Sequence, residues 1–125
     1  MAYNQEEYRV SNARITNAKK YPNGFLYILK LKGFDLYKIG VSNKPKRRIR
    51  DIKSVLPFES DIVFCKRYID VYPLEKQLHD LYIENKARKE WFYVYDEDIT
   101  KLLKMLTTLY AKERVNNQAE LKLNM

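Results

Sequence analysis

The sequence predicts an α/β domain of the α+β kind: a small antiparallel three-stranded sheet flanked by helices. Three observations lead there. Two apolar runs, Phe25 to Leu31 and Leu36 to Val41, are separated only by Lys32-Gly33-Phe34-Asp35, the pattern of a hairpin. Three later stretches repeat apolar residues at spacings of three and four, the period of an amphipathic helix. A third apolar run, Ile62 to Cys65, falls between the first two of these.

Residues 1–23 are polar and weakly periodic, and read as an N-terminal extension. Tyr21-Pro22-Asn23-Gly24 is a turn signal before the first strand. A four-residue hairpin loop sets Leu31 opposite Leu36, so Tyr27 and Lys38 project from one sheet face. Ser42-Asn43 offer N-cap side chains, and Pro45 suits the first turn of a helix that runs to about Leu56. Its apolar stripe is Ile49, Ile52, Val55 and Leu56, opposite Lys46, Arg50 and Lys53. Arg48 falls within that apolar arc, where a cation is costly unless it meets an anion. Asp61 to Tyr68 is the third strand, with Cys65 as a small core residue. Pro73 opens a second helix to about Asn85, with Leu74, Leu78, Leu81 and Tyr82 as its stripe. Glu75 and His79 lie one turn apart at the margin of that stripe. Trp91 to Tyr95 is a short extended segment. Asp96-Glu97-Asp98 place negative charge at a helix start, as the helix dipole favours. Ile99, Leu102, Leu103, Leu106, Leu109 and Tyr110 continue that helix, and the polar tail after Arg114 reads as frayed. The division is therefore an extension over 1–23, a core over 24–95, and a C-terminal helix and tail over 96–125 that packs on the core.

Composition narrows the function. The 125 residues carry 24 Lys+Arg against 16 Asp+Glu, a net charge of +8, which points to a polyanionic partner. The excess concentrates in residues 44–53, where Lys44, Lys46, Arg47, Arg48, Arg50 and Lys53 face one acid, Asp51. A basic stripe on one helix is the footprint of a phosphate-backbone binder, although a solvated helix face gives the same pattern. One cysteine excludes an internal disulfide framework and a multi-cysteine zinc site. Together with the absence of a signal-peptide pattern or a long apolar run, it sets a cytoplasmic protein without membrane contact as the expectation. Three isolated glycines make neither a dinucleotide fingerprint nor a P-loop. Tyr27, Lys38, Arg48, Glu75 and His79 remain as polar residues at semi-buried places, each also explicable by core packing or a structural pair.

Gly24-Phe25-Leu26-Tyr27, Tyr37-Lys38-Ile39-Gly40 and an arginine eight residues after Gly40 resemble the motifs of the GIY-YIG nuclease superfamily. Leu74-Glu75-Lys76-Gln77-Leu78-His79, then Glu90-Trp91-Phe92, are similar to its small phage- and virus-encoded single-domain branch. The ordered set spans about residues 24 to 95. The resemblance implies a GIY-YIG endonuclease-like fold and a metal-dependent endonuclease that hydrolyses phosphodiester bonds of DNA. Tyr27 matches the first-motif tyrosine, Lys38 replaces the second, Arg48 is the family arginine, and Glu75 is the glutamate that holds a divalent metal. The family's terminal asparagine has no counterpart, and Glu90 stands in that region as a rival metal ligand.

These residue types suit the reaction the resemblance implies. A hard cation, Mg²⁺ or Mn²⁺, takes oxygen ligands such as Glu75. Arg48 grips a phosphate bidentately. Tyr27 is the candidate base, with a reference pKa of about 10 that neighbouring cations such as Lys38 and Arg48 would depress. His79 is placed to orient a water, relay a proton or touch phosphate. Lys44, Lys46, Arg47, Arg50 and Lys53 supply backbone contacts of low sequence specificity, in a monomer or weak dimer. The second reading is a non-catalytic nucleic-acid-binding module that retains the nuclease fold.

Overall fold

A computed structural model describes residues 23–123, with side chains through residue 116. The expected N-terminal extension lies, apart from Asn23, outside the described residues. The elements are β1 (Gly24–Leu31), β2 (Leu36–Ser42), α1 (Pro45–Val55), β3 (Ser60–Tyr68), α2 (Val71–Leu81), a 3₁₀ turn (Ile83–Asn85), β4 (Lys86–Arg88), β5 (Trp91–Tyr93) and α3 (Asp96–Leu123).

The α+β class holds, but the sheet has five strands rather than three, in the order β3-β1-β2-β5-β4. All neighbours are antiparallel. The two additional strands are three residues each, too short to show a period. Lys86-Ala87-Arg88 is wholly exposed and carries no apolar alternation. Backbone pairing to β5 alone makes it a strand, across a turn in which Lys89 has φ +53. Its two cations blunt this sheet edge.

The β1–β2 hairpin has the expected register. Lys30 pairs with Tyr37, Leu29 with Lys38 and Tyr27 with Gly40. Gly33 turns the loop at φ +83, a conformation that costs any side-chain-bearing residue energy. β1 lies between β3 and β2 and is covered on both faces, which explains its continuous apolar run. One face carries Leu26 and Ile28, with Tyr37, Ile39, Phe64 and Phe92, under Val71 and Leu78 of α2 and Ile99, Leu102 and Leu106 of α3. The other carries Tyr27 and Leu29 under Ile49 and Ile52 of α1.

The helices depart from expectation in detail. Lys44 precedes α1 without a side-chain cap, while Ser42 Oγ accepts the Lys44 N–H at 3.0 Å. Val55, expected in the α1 stripe, is 80% exposed. The buried arc spans only Ile49 and Ile52, with Leu56 at its margin. α2 begins at Val71, before Pro73, because a first-turn proline gives up no helical hydrogen bond. It ends at Leu81, and the 3₁₀ turn takes the remainder of the span expected to Asn85. Its buried residues are Val71, Glu75 and Leu78, whereas Leu81 is 64% exposed. The stripe thus runs through Glu75 instead of beside it. α3 continues beyond Arg114 to Leu123, where fraying was expected, since no glycine or proline interrupts that stretch. Among the described residues, no helix is long and apolar enough to cross a membrane.

Tyr68 ties β3 to α3, donating its hydroxyl to the Leu106 carbonyl at 2.6 Å. Burial pushes this phenol well above the usual tyrosine range. Tyr68→Phe should lower stability by about 1 kcal/mol, read as a lower denaturation midpoint at unchanged slope.

Candidate active site

The site begins at the crossing of two strands. Tyr27, 1% exposed, lies over Gly40 of the neighbouring strand. A Cβ on Gly40 would fall 2.5 Å from the Tyr27 hydroxyl oxygen and 2.6 Å from the ring carbon bearing it. Only glycine permits this approach. The phenol oxygen is therefore held directly over β2, beneath Ile49 and Ile52 of α1.

Lys38 projects from the same face, two residues along β2. It is 8% exposed, and its Nζ lies 3.1 Å from Glu90 Oε2 and 5.8 Å from the centroid of the Trp91 ring. A buried ammonium requires such a counter-charge. The sequence set Lys38 on the Tyr27 face and Glu90 as a rival metal ligand, and the fold pairs the two. No sequence signal announced the pair, because it exists only where β5 docks on β2.

α2 runs beside the same stretch of β2, and two contacts fix its level. At its start, the Val71 side chain and the Ser42 backbone both lie close to Gly24. Near its end, His79 Nε2 donates to the Ile39 carbonyl at 2.8 Å. Val71 to His79 advances roughly 12 Å along a helix, and Ser42 to Ile39 roughly 10 Å along a strand. Glu75, midway between Val71 and His79 and 4% exposed, is therefore level with Gly40 and Val41. His79 rests 5.1 Å from the Phe92 ring. With Nε2–H given to a carbonyl, the neutral ring makes Nδ1 its acceptor.

Arg48 is exposed, contrary to the semi-buried position expected. At 100° per residue it lies within about 20° of Val55, on the flank just outside the Ile49–Ile52 arc. Neither residue is covered, so Arg48 bears no desolvation cost and faces solvent one residue before Ile49. Lys44, Lys46, Arg47, Arg50 and Lys53 are exposed with it. Tyr27 and Lys38 thus share the sheet face that α1 covers, with Arg48 on that helix outside the buried cluster, while Glu75 comes to the level of Gly40 on α2, whose Val71 and Leu78 pack on the other face.

The donor set fits a hard divalent cation held by one carboxylate. Among the described residues, no group of three or more His, Cys, Asp or Glu side chains gathers as a cage. Glu75 is a buried carboxylate, and Glu90 pairs with Lys38. Mg²⁺ binds in this manner, keeping waters and taking substrate phosphate oxygens for its other positions.

The family model of the T5orf172 domain matches residues 24–107 of the chain. No curated protein and no solved structure matches the chain.

The packing of Tyr27 on Gly40 is open to a double-mutant cycle. Gly40→Ala should destabilise the fold by about 1–3 kcal/mol through overpacking. In a Tyr27→Ala background the same change should cost far less, because the clashing ring is gone. Denaturant unfolding of the four proteins measures the coupling.

Proposed function

The chain belongs to the T5orf172 domain family, and on that premise we propose that it is a metal-dependent DNA endonuclease of the GIY-YIG type. The family's nuclease-related associations in phage and bacterial proteins support the reaction class. The observation that carries the proposal is the Tyr27 hydroxyl held over Gly40, with a buried carboxylate, Glu75, at the same level on α2.

In this reading Tyr27 takes the proton of the attacking water. Arg48 uses its paired N–H donors to grip the scissile phosphate, and being exposed it can reach a substrate without giving up a structural partner. Glu75 holds the divalent ion, Mg²⁺ or Mn²⁺, which when bound neutralises charge on the phosphate and the departing oxygen. Lys38, fixed by Glu90, adds positive potential beneath the phenol only to the extent that its partner leaves uncancelled. His79 is held at the β2 edge by the Ile39 carbonyl, so proton relay falls to Nδ1. Lys44, Lys46, Arg47, Arg50 and Lys53 contact the DNA backbone, which gives affinity with little sequence information.

A plasmid-nicking assay tests this. Cleavage should require Mg²⁺ or Mn²⁺ and cease on chelation. Glu75→Gln and Arg48→Ala should each reduce it by roughly 10²-fold or more, with the circular dichroism spectrum retained. Undiminished cleavage by both variants would overturn the site. DNA binding without cleavage by the wild-type chain, across metals and pH, would establish the non-catalytic module instead.

A further inference from the structure

A second group of cations lies at one end of the sheet, apart from α1. Arg67 pairs with Phe25, and Phe25 pairs with Ser42, so the three form one row across β3, β1 and β2. That row lies two residues beyond the row of Cys65, Tyr27 and Gly40, so Arg67 leaves the sheet on the Tyr27 face. Lys66 leaves on the opposite face, where its Nζ lies 5.1 Å from the centroid of the Tyr110 ring. The Arg114 guanidinium lies 4.4 Å from the same centroid and donates to the Arg67 carbonyl at 3.3 Å. Its hydrogen bond to the Tyr110 hydroxyl, with its charge and that of Lys66, holds the pKa of this phenol below the usual tyrosine value.

Among the described residues, no carboxylate forms an ion pair with Lys66, Arg67 or Arg114. Glu113, the nearest acid in sequence, accepts the Ile69 N–H at 3.1 Å instead. Lys66 and Arg114 share the Tyr110 ring and repel one another, with Arg67 at the same end of the sheet on its other face, and an anion relieves that repulsion. Across the row, Ser42 leads within two residues to Lys44 and then to Lys46 and Arg47 of α1. From β3 to β2 is about 10 Å, two strand spacings. One strand of a duplex advances that distance in about three nucleotides, at roughly 3.4 Å each.

We propose that Lys66, Arg67 and Arg114, two of them arranged around Tyr110, form a second phosphate-binding cluster. It extends the α1 track across the Arg67–Phe25–Ser42 end of the sheet, and its ligand is the phosphodiester backbone of nucleic acid. The proposal rests on the nucleic-acid reading above and adds to it a place where the backbone continues beyond the cleavage site.

Fluorescence anisotropy of a labelled duplex with the full chain, over a series of salt concentrations, tests it. The double variant Lys66→Gln/Arg67→Gln leaves the Arg114–Tyr110 stack intact and changes only exposed side chains. It should bind about tenfold more weakly, with the slope of log affinity against log salt reduced by about two, at ~0.9 for each phosphate no longer neutralised. Arg67→Gln alone should give about half that change in slope. Wild-type values in the double and single variants would overturn the second cluster and leave the nuclease reading standing. Absence of any salt-dependent binding by the wild-type chain would overturn both.

Discussion

The approach of Tyr27 to Gly40 is the constraint from which the rest of the sheet follows. A large aromatic ring lies directly against a neighbouring strand only where that strand has no side chain. The register of β1 and β2 is thereby fixed, since a slip of one residue would put Ile39 or Val41 beneath the ring. The same register sends Lys38 onto the buried Tyr27 face. A desolvated ammonium must then find a carboxylate, and Glu90 supplies it. Glu90 reaches Lys38 because β5 pairs with β2, so the short β4–β5 hairpin is part of the same dependency. One absent side chain thus determines a register, a buried charge and the strand that neutralises it.

The opposite edge of this arrangement explains α2. β5 pairs with β2 only as far as Lys38, and the Ile39 N–H is taken by the Glu90 carbonyl at 3.1 Å. In a strand, the carbonyl of a residue points to the same side as its N–H. The Ile39 carbonyl therefore opens toward the edge that β5 no longer covers, and His79 meets it. That bond, and Val71 against Gly24, hold α2 along β2 and carry Glu75 inward among Val71 and Leu78. An apolar side chain would fill the position more cheaply.

The sequence carried the hairpin, its loop and the three helices clearly, because a four-residue turn and repeated spacings of three and four are local signals. The facing of Tyr27 and Lys38 was legible for the same reason. What lay beyond local pattern was less so. Val55 and Leu81 continue helical stripes in sequence yet emerge into solvent, since periodicity marks a face and not the extent of what covers it. Arg48 shares the flank of Val55 and is exposed with it, so its expected burial failed together with that of its neighbour. Glu75 looked marginal because the stripe was drawn through leucines, whereas the helix starts earlier and turns Val71, Glu75 and Leu78 inward. β4 has no apolar pattern at all, and the Lys38–Glu90 pair depends on it only through the fold.

Pairing Lys38 with Glu90 changes which cations are available to the proposed reaction. A charge whose counter-ion lies 3.1 Å away contributes little net potential to its surroundings. Arg48 on α1, and Lys66 and Arg67 at the sheet end, are exposed and have no carboxylate partner among the described residues. Exposed charges act weakly across water and strongly once a bound polyanion excludes it. In the proposed enzyme the electrostatics of the site are therefore completed by the substrate itself. DNA lying over α1 would bury Arg48 against its own phosphate and lower the dielectric around the charges on that face.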